Sequence, residues 1–452
     1  MAGRMVFSEV VGTLSFLRPE TDDNIVDRLH YYYTSTFLLV TAVLMSLKMF
    51  GGRPIECWLP AEYKSSWEDY SETYCWARST FWVPFDQPIP VTDQERETSM
   101  VSYYQWAPFF LVLCAFLFYA PCLIWRSMYD RSGVRLRDII KFANDPINIR
   151  NTSTREATIA GLAEHLGSIF KHRYSMDHRI PFHKQLMRFL NLRYYEAYLT
   201  WLYLGIKLMF LLNVMGQMFL MNKFLQTDDY DIYGIGVIRD LLNNRPWSDS
   251  GNFPRVTYCD MDIRILGNVQ RHTVQCVLVI NIFTEKVFIL LWIWYSILAS
   301  CTLISLILWG SSLILLEQRK KFIARRLELA DVDFRRRDYS KELTEFTRDY
   351  IKMDGAFVLN MITIHSGLLM CAEITDWLWE KFKKERGIQD EKSPIPGLDS
   401  NLRPPDTPGG PGFASRRKTS VLMPLVSRDE LTPLPTTSES PFLRAPSTAP
   451  VK

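Results

Sequence analysis

Long apolar blocks alternate with polar and charged stretches along the chain. Four of the blocks reach the roughly 20 residues that an α-helix needs to cross the ~30 Å hydrocarbon core of a bilayer. The predicted spans are residues 29–50, 104–126, 198–221 and 287–316. A buried core helix of a soluble protein is the alternative for any one block. Four such blocks in a single chain favour a membrane protein.

A fifth apolar run, residues 355–374, differs from the other four. It contains Asn360, Thr363, His365 and Ser366, and charged residues flank it on both sides. Polar groups near the centre of a bilayer are costly. The pattern therefore favours a helix packed inside a soluble part of the protein over a fifth span.

The third block also carries polar side chains at membrane depth. Lys207, Asn213 and Gln217 all lie inside it. An ionisable group within a span is by default a functional candidate. Lys207 is about ten residues from the end of the block, too deep to reach the interface easily. We expect these groups to hydrogen-bond to neighbouring helices.

The second block opens with a group of aromatic residues in the stretch SYYQWAPFFLVL. Amphipathic rings are enriched where lipid headgroups meet hydrocarbon, so the tyrosines and the tryptophan are predicted to anchor the helix end. A proline in the first turn costs little and helps to start a helix. A glutamine at this edge can hydrogen-bond loop backbone. The residues are Tyr103, Tyr104, Gln105, Trp106 and Pro108.

Charge is distributed unevenly between the loops. The loop at 126–197 has 13 Lys or Arg against 7 acids, whereas the loop at 51–103 has 4 against 9. Basic residues accumulate in cytoplasmic loops, so the middle loop and both termini are predicted to be cytoplasmic. The nine acids of the first outer loop are candidates for attracting cations, with a solvated surface as the more common role of such charge.

Four of the eight cysteines lie in the two outer loops, two in each: Cys57 and Cys75 in the first, Cys259 and Cys276 in the second. Even counts outside the membrane are typical of disulfides formed in an oxidising compartment. Spacings of 18 and 17 positions do not match the short ligand steps of zinc sites. We predict two disulfides, with three pairings open from the spacing alone.

The remaining soluble segments show no catalytic pattern. The chain lacks a phosphate-binding loop, a nucleophile elbow, a zinc-protease motif and a dinucleotide fingerprint. His165, His172, His178 and His183 do not have ligand spacing, so no metal is predicted. The net charge of +3 does not indicate nucleic-acid binding. We therefore expect no enzyme activity, no cofactor and no nucleic-acid partner.

The carboxyl-terminal tail has a different composition. Twelve of the last sixty residues are proline, interspersed with serine, threonine and glycine, which predicts disorder. Within it, RRKTS places Thr419 and Ser420 after three basic residues. These two hydroxyls are predicted phosphorylation sites for a basophilic kinase, where a phosphate would cancel local positive charge.

Three long stretches resemble the innexins, the gap-junction proteins of invertebrates. YYQWAPFFLVL is similar to their second-span signature, and RPIECWLPAEY with SWEDYSETYCW is similar to their first extracellular loop. FPRVTYCDMDIRILGNVQRHTVQC and the apolar run after it resemble their second loop and fourth span. The resemblance covers roughly residues 1–385, and the tail lies beyond it.

The resemblance implies a ring of eight subunits, formed by this chain alone or with other innexins and embedded in the lipid bilayer. Two rings on adjacent cells would dock through the extracellular loops and pass ions and small molecules. It also implies cross-loop pairing, Cys57 with Cys276 and Cys75 with Cys259. An undocked, pannexin-like half-channel and a four-span adhesion or scaffold protein are the alternatives.

An amphipathic pattern occupies the amino terminus, residues 1–28. The resemblance implies that this segment folds into the cytoplasmic mouth and lines the pore, with a membrane-surface helix as the alternative. Its charges Arg4 and Glu9 are the pore-lining candidates.

The predicted fold class is an all-α membrane protein of the plasma membrane and gap junction. It has a four-helix transmembrane bundle, disulfide-linked extracellular loops and a helical cytoplasmic domain. Between the spans, the predicted regions are outer loops at 51–103 and 222–286, a cytoplasmic loop at 127–197, a cytoplasmic helical domain at 317–392 and the tail at 393–452.

Overall fold

The computed structural model describes residues 22–129, 132–171, 196–225, 253–330 and 339–387. The helices are α1 Ile25–Gly51, α2 Ser65–Arg78, α3 Asp93–Thr98, α4 Tyr103–Tyr129, α5 Leu136–Ala143, α6 Ile147–Arg150, α7 Thr152–Lys171, α8 Tyr198–Phe224, α9 Val279–Ile314, α10 Leu316–Leu329, α11 Tyr339–Glu345, α12 Lys352–Ser366 and α13 Leu368–Glu385. The strands are β1 Glu56–Trp58, β2 Thr80–Phe81, β3 Met100–Val101, β4 Val256–Ile265 and β5 Asn268–Val277.

Four of the described helices are long and apolar enough to cross a membrane: α1, α4, α8 and α9. One face of α9 carries exposed apolar side chains, among them Ile307 and Leu308, which are exposed by 59% and 61%. Thr302 and Ser305 of the same helix are buried. Because lipid is as apolar as the exposed side chains, they gain little by being buried between helices. Small and polar residues such as Thr302 and Ser305 can therefore form the contacts between the helices.

The two outer loops combine into one antiparallel sheet with strand order β1-β5-β4-β2-β3. The first loop supplies three strands and the second loop supplies the central hairpin β4–β5. Leu266 and Gly267 form the hairpin turn with φ angles of 48° and 90°, the left-handed values that a two-residue turn between twisted strands requires. The confirmed four-span architecture thus carries a sheet that the sequence patterns did not predict.

A helical layer lies at the other end of the bundle. Helices α7, α10, α12 and α13 pack together there around Phe357 and Trp379, which are almost completely buried. The fifth apolar run is divided between α12 and α13, because Gly367 with φ 90° separates them. Neither helix is among the four described candidate spans.

Candidate functional site

The two outer loops are joined at two cysteine pairs. Cys57 on β1 lies opposite Cys276 on β5 in the strand register, and their sulfurs are at disulfide distance. Cys75 on α2 and Cys259 on β4 are also at disulfide distance. Three of these sulfurs lie within 4.8 Å of one another, but each already has a sulfur partner and is not a thiolate donor for a metal. Both pairs connect the first loop to the second.

The aromatic stretch at the start of α4 contacts these loops directly. The amide of Gln105 donates a hydrogen bond to the carbonyl oxygen of Trp76, the residue after Cys75. The Tyr104 ring is buried with its centroid 5.0 Å from that of Trp76. Tyr103 is also buried, whereas Trp106 is 64% exposed. Pro108 is buried within the helix. The two tyrosines thus contact protein, and Trp106 faces outward.

Ion pairs add further links between the loops. Arg78 of the first loop lies 2.6 Å from Asp262 of β4, and Arg96 lies 2.7 Å from Asp260. Arg271 of β5 also binds Asp262, at 2.9 Å. Hydrogen bonds from Arg78 and Arg271 lower the pKa of Asp262 below its ordinary value. We call residues 52–102 and 253–278 together the loop module.

Acidic residues are concentrated at one edge of the loop module. A cavity there is lined by Glu56, Glu68 and Glu72, with Arg53 as the basic member. Burial and the neighbouring carboxylates raise the pKa of Glu72, and Arg53 opposes them. Because Arg53 lies no closer than 3.7 Å to Asp69 or Glu72, it offsets this charge only in part.

A second polar site lies inside the bundle, where α1, α8 and α9 meet. Lys207 is fully buried, and its Nζ donates to Asp27 Oδ1 at 2.8 Å and to Ser305 Oγ at 3.0 Å. The hydroxyl of Tyr203 donates to the other oxygen of Asp27 at 2.8 Å. One turn further along α1, within a π-helical stretch, the His30 ring hydrogen-bonds to the Thr302 hydroxyl at 2.7 Å. We call this group the polar joint.

The helical layer contacts the starts of α1 and α8, two of the helices that form the polar joint. The buried carboxylate of Asp354 on α12 accepts hydrogen bonds from the Leu199 and Thr200 N–H groups at 3.1 and 2.9 Å. It thereby caps the first turn of α8, where N–H groups lack partners within the helix. His365, at the other end of α12, hydrogen-bonds to the backbone oxygen of Asp23 at 2.8 Å. The layer is therefore connected to the start of both α1 and α8.

Asp23 itself is a buried acid just before α1. Its carboxylate accepts hydrogen bonds from the Tyr31 hydroxyl and, at 2.7 Å, from Arg28. Burial nevertheless raises its pKa to about 7, with Tyr31 and Arg28 acting in the opposite direction. A group poised near neutrality thus adjoins the first span.

Comparison with known proteins identifies the family. The innexin family model matches residues 23–382. Innexin-10 of Caenorhabditis elegans is 42% identical over 382 residues, which are 84% of this chain and 68% of that protein. Innexin unc-9 of the same species is 38% identical over 85% of this chain and 98% of its own length. Innexin-11 is 38% identical over 86% and 84% of the two chains.

The chain belongs to the innexin family. It is therefore a multi-pass membrane protein and a subunit of a gap-junction channel that assembles with innexin subunits. The predicted resemblance and function are confirmed. The loop module and the polar joint are parts of that channel subunit.

Several predicted site residues of this innexin lie outside the described residues. These are Arg4, Glu9, Thr419 and Ser420, together with His172, His178 and His183. Of the four sequence-neighbouring histidines, His165 is described, and it is exposed on α7. The polar residues predicted within the third span are described. Lys207 contacts two other helices, whereas Gln217 donates to Asn213 on its own helix at 3.5 Å.

Sequence patterns missed most of the polar joint in this innexin. Asp27 looks like any acidic residue in the first turn of a helix, and its partner is 180 positions away. Asp354 stands just before an apolar run and gives no sign that it caps a distant helix. The only sequence feature that indicated this site was a charged residue within the third span. It identified Lys207 but not its partner Asp27.

Proposed function

We propose that this innexin forms a ring, of eight subunits by family resemblance, that docks head to head with a ring on the neighbouring cell through its loop module. The observation that carries the proposal is the cross-linking of the two outer loops into one sheet. Two cysteine pairs and the Arg78 and Arg96 ion pairs fix that sheet. A face held in this way loses little conformational entropy on docking.

The distribution of glycosylation sequons supports docking over an undocked, pannexin-like half-channel. Asn151–Thr152–Ser153 is the only sequon in the chain. It lies at the start of α7, where the Asn151 side chain accepts a hydrogen bond from the Ser153 N–H at 3.2 Å. The loop module carries no acceptor for a bulky sugar, and so can approach an identical surface.

We assign the middle loop and both termini to the cytoplasm. Four spans return the chain to its starting side, and the basic excess of 13 to 7 lies in the middle loop. This orientation puts the loop module outside, where its cysteines would be oxidised as Cys57–Cys276 and Cys75–Cys259. It also puts the amino terminus, with Arg4 and Glu9, at the inner mouth of the pore.

Current and dye transfer between two cells that both express the chain would test the proposal. We expect coupling in such pairs and none when only one cell expresses the chain. The variant Asn151→Gln is the control and should couple normally. Current in single cells without coupling would favour the undocked half-channel, and neither signal would favour an adhesion protein.

Three separate measurements check the details. Mass spectrometry of disulfide-linked peptides should recover the two cross-loop pairs, and pairs within one loop would contradict the scaffold. Images of detergent-extracted particles should show eight subunits per ring and rings docked in pairs. Charge reversal at Arg4 or Glu9 should change conductance or ion preference. No change at either residue would remove the amino terminus from the pore.

A further inference from the structure

The end of the fourth span is followed at once by a basic helix. Helix α9 ends at Ile314, and α10 begins at Leu316 after a single extended residue, Leu315, with φ −75° and ψ 119°. Helix α10 carries five basic residues against two acids, Glu317 and Glu328. Basic clusters directly beside a span are typical of segments that contact anionic lipid. The basic residues are Arg319, Lys320, Lys321, Arg325 and Arg326.

One member of this cluster, Arg319, is buried. Its relative exposure is 8%, and it shares the inward face of α10 with Ile323 and Leu327. Its side chain makes no hydrogen bond or ion pair with the described residues, and its Nε is buried without an acceptor. By contrast, the buried Lys207 donates hydrogen bonds to the carboxylate of Asp27 and the hydroxyl of Ser305. A buried cation without an anion is strongly unfavourable.

Glu196 is the nearby acid whose charge acts on Arg319. Burial lowers the pKa of Arg319, and Glu196 opposes that effect. Glu196 lies 4.0 Å from the Nζ of Lys352 and its backbone oxygen accepts from Asp354. Glu196 therefore has other contacts and does not form an ion pair with Arg319 in the described structure.

The position of Arg319 indicates what kind of anion it would meet. It lies five residues beyond the end of α9 and near Glu196, which is two residues before the start of α8. Because α8 begins and α9 ends near this residue, we expect lipid headgroups at its level. Ile314 and Leu315 beside it are exposed by 44% and 52%. Exposed apolar residues next to cations suit a molecule with an acyl chain and an anionic head.

We propose that an anionic phospholipid binds at this junction, with its headgroup phosphate on the guanidinium of Arg319 and additional negative charge near Lys320 and Lys321. A guanidinium can donate two parallel hydrogen bonds to a phosphate, which would supply the hydrogen-bonded anion that Arg319 lacks among the described residues. Lys320 directly follows Arg319 and is 20% exposed, and its Nζ lies 3.8 Å from the exposed carboxylate of Glu317. This site goes beyond channel formation and depends only on the membrane-spanning assignment.

Binding of fluorescent phosphatidylserine to the purified full chain in neutral detergent tests the site. We expect Arg319→Met to weaken that binding by at least about tenfold, the scale of a charge-assisted hydrogen bond. Arg319→Lys should recover part of the loss. Lys381→Gln is the matched control, because Lys381 is a cation of the helical layer whose ion pair with Glu164 lies at the surface. Fluorescent phosphatidylcholine should bind weakly to all variants.

A melting experiment separates a binding role from a folding role. Without lipid, Arg319→Met should be at least as stable as the natural chain, because the variant removes an unpaired buried charge. Phosphatidylserine should raise the melting temperature of the natural chain and leave that of Arg319→Met unchanged.

Four results would overturn the proposal. The first is unchanged phosphatidylserine binding by Arg319→Met. The second is loss of binding only in Lys320→Gln with Lys321→Gln, which would indicate diffuse surface attraction. The third is competition by inorganic phosphate at the same concentration as lipid, which would indicate a free anion. The fourth is loss of rings in Arg319→Met without any lipid effect, which would assign the anion to a neighbouring subunit.

Discussion

Breaking the buried Lys207–Asp27 pair should destabilise the channel subunit strongly. We expect Lys207→Met to lower the free energy of unfolding by about 3–5 kcal/mol, the usual cost of leaving one buried charge without its partner. The atoms lie 2.8 Å apart and the two side chains are exposed by only 0% and 5%. Water and salt therefore cannot replace the lost interaction. Asp27 would keep two neutral donors, the Tyr203 hydroxyl and the Asn24 N–H, and no cation.

Removing both charges should restore much of that loss. In the double variant Asp27→Asn with Lys207→Met, neither member of this pair is left as an uncompensated charge. Asn at this position can still accept from Tyr203, whereas Ser305 loses its donor, so we expect a net cost of about 1–2 kcal/mol. The summed stability losses of the two single variants should therefore exceed the loss in the double variant by at least about 2 kcal/mol.

Denaturant unfolding of the purified chain in detergent, followed by tryptophan fluorescence, measures these differences. Lys223→Met is the control, since Lys223 is an exposed lysine on the same helix. It should change stability by less than about 0.5 kcal/mol. A cost below about 1 kcal/mol for Lys207→Met, or a double variant as unstable as the sum of the single variants, would refute the importance of the polar joint.

Three further predictions follow from the described contacts. Asp354→Ala should cost about 2–4 kcal/mol in the same unfolding assay, because it leaves two buried N–H groups of α8 without acceptors; a cost near zero would exclude the cap. Because burial raises the folded-state pKa of Asp23 to about 7, its contribution is fully present below about pH 4 and is lost as the pH rises towards 7. The natural chain should therefore lose stability relative to Asp23→Asn between pH 5 and pH 7.5, and a constant difference would contradict this. Replacing both Cys75 and Cys259 by serine should cost about 3–4 kcal/mol, because the first cysteine pair already closes the large loop and the second closes about 35 residues more; the cost should vanish when the natural chain is measured under reducing conditions.

Hydrophobic patterning predicted the four spans because lipid imposes a simple requirement on length and apolarity. It placed the fourth span at 287–316, whereas α9 begins at Val279. The first turns of α9 are packed against the loop module, where the buried Glu285 binds Arg255 at 3.1 Å. A helix that begins with polar residues in this way is stabilised by contacts with other parts of the protein. A hydropathy pattern carries no information about such contacts.

The sheet of the loop module escaped prediction for a related reason. Its buried positions on β4 include Thr257 and Cys259, which are not strongly apolar, so the alternation of strands was weak. Strands β2 and β3 have two residues each. Strand β2 pairs with β4, which lies far away in the chain, and β3 pairs with β2 in turn, so neither short strand can be recognised from its own residues.

The pairing of β1 with β5 also dictates an order of events during synthesis. Residues 56–58 leave the ribosome early, whereas their partners at 275–277 follow only after three spans have been made. Until then Cys57 and Cys75 share one short stretch and can oxidise with each other. Correct maturation therefore requires that the early cysteines stay reduced or be reshuffled by an isomerase. A nick between α4 and α8 would afterwards leave two fragments that separate on a gel only after reduction.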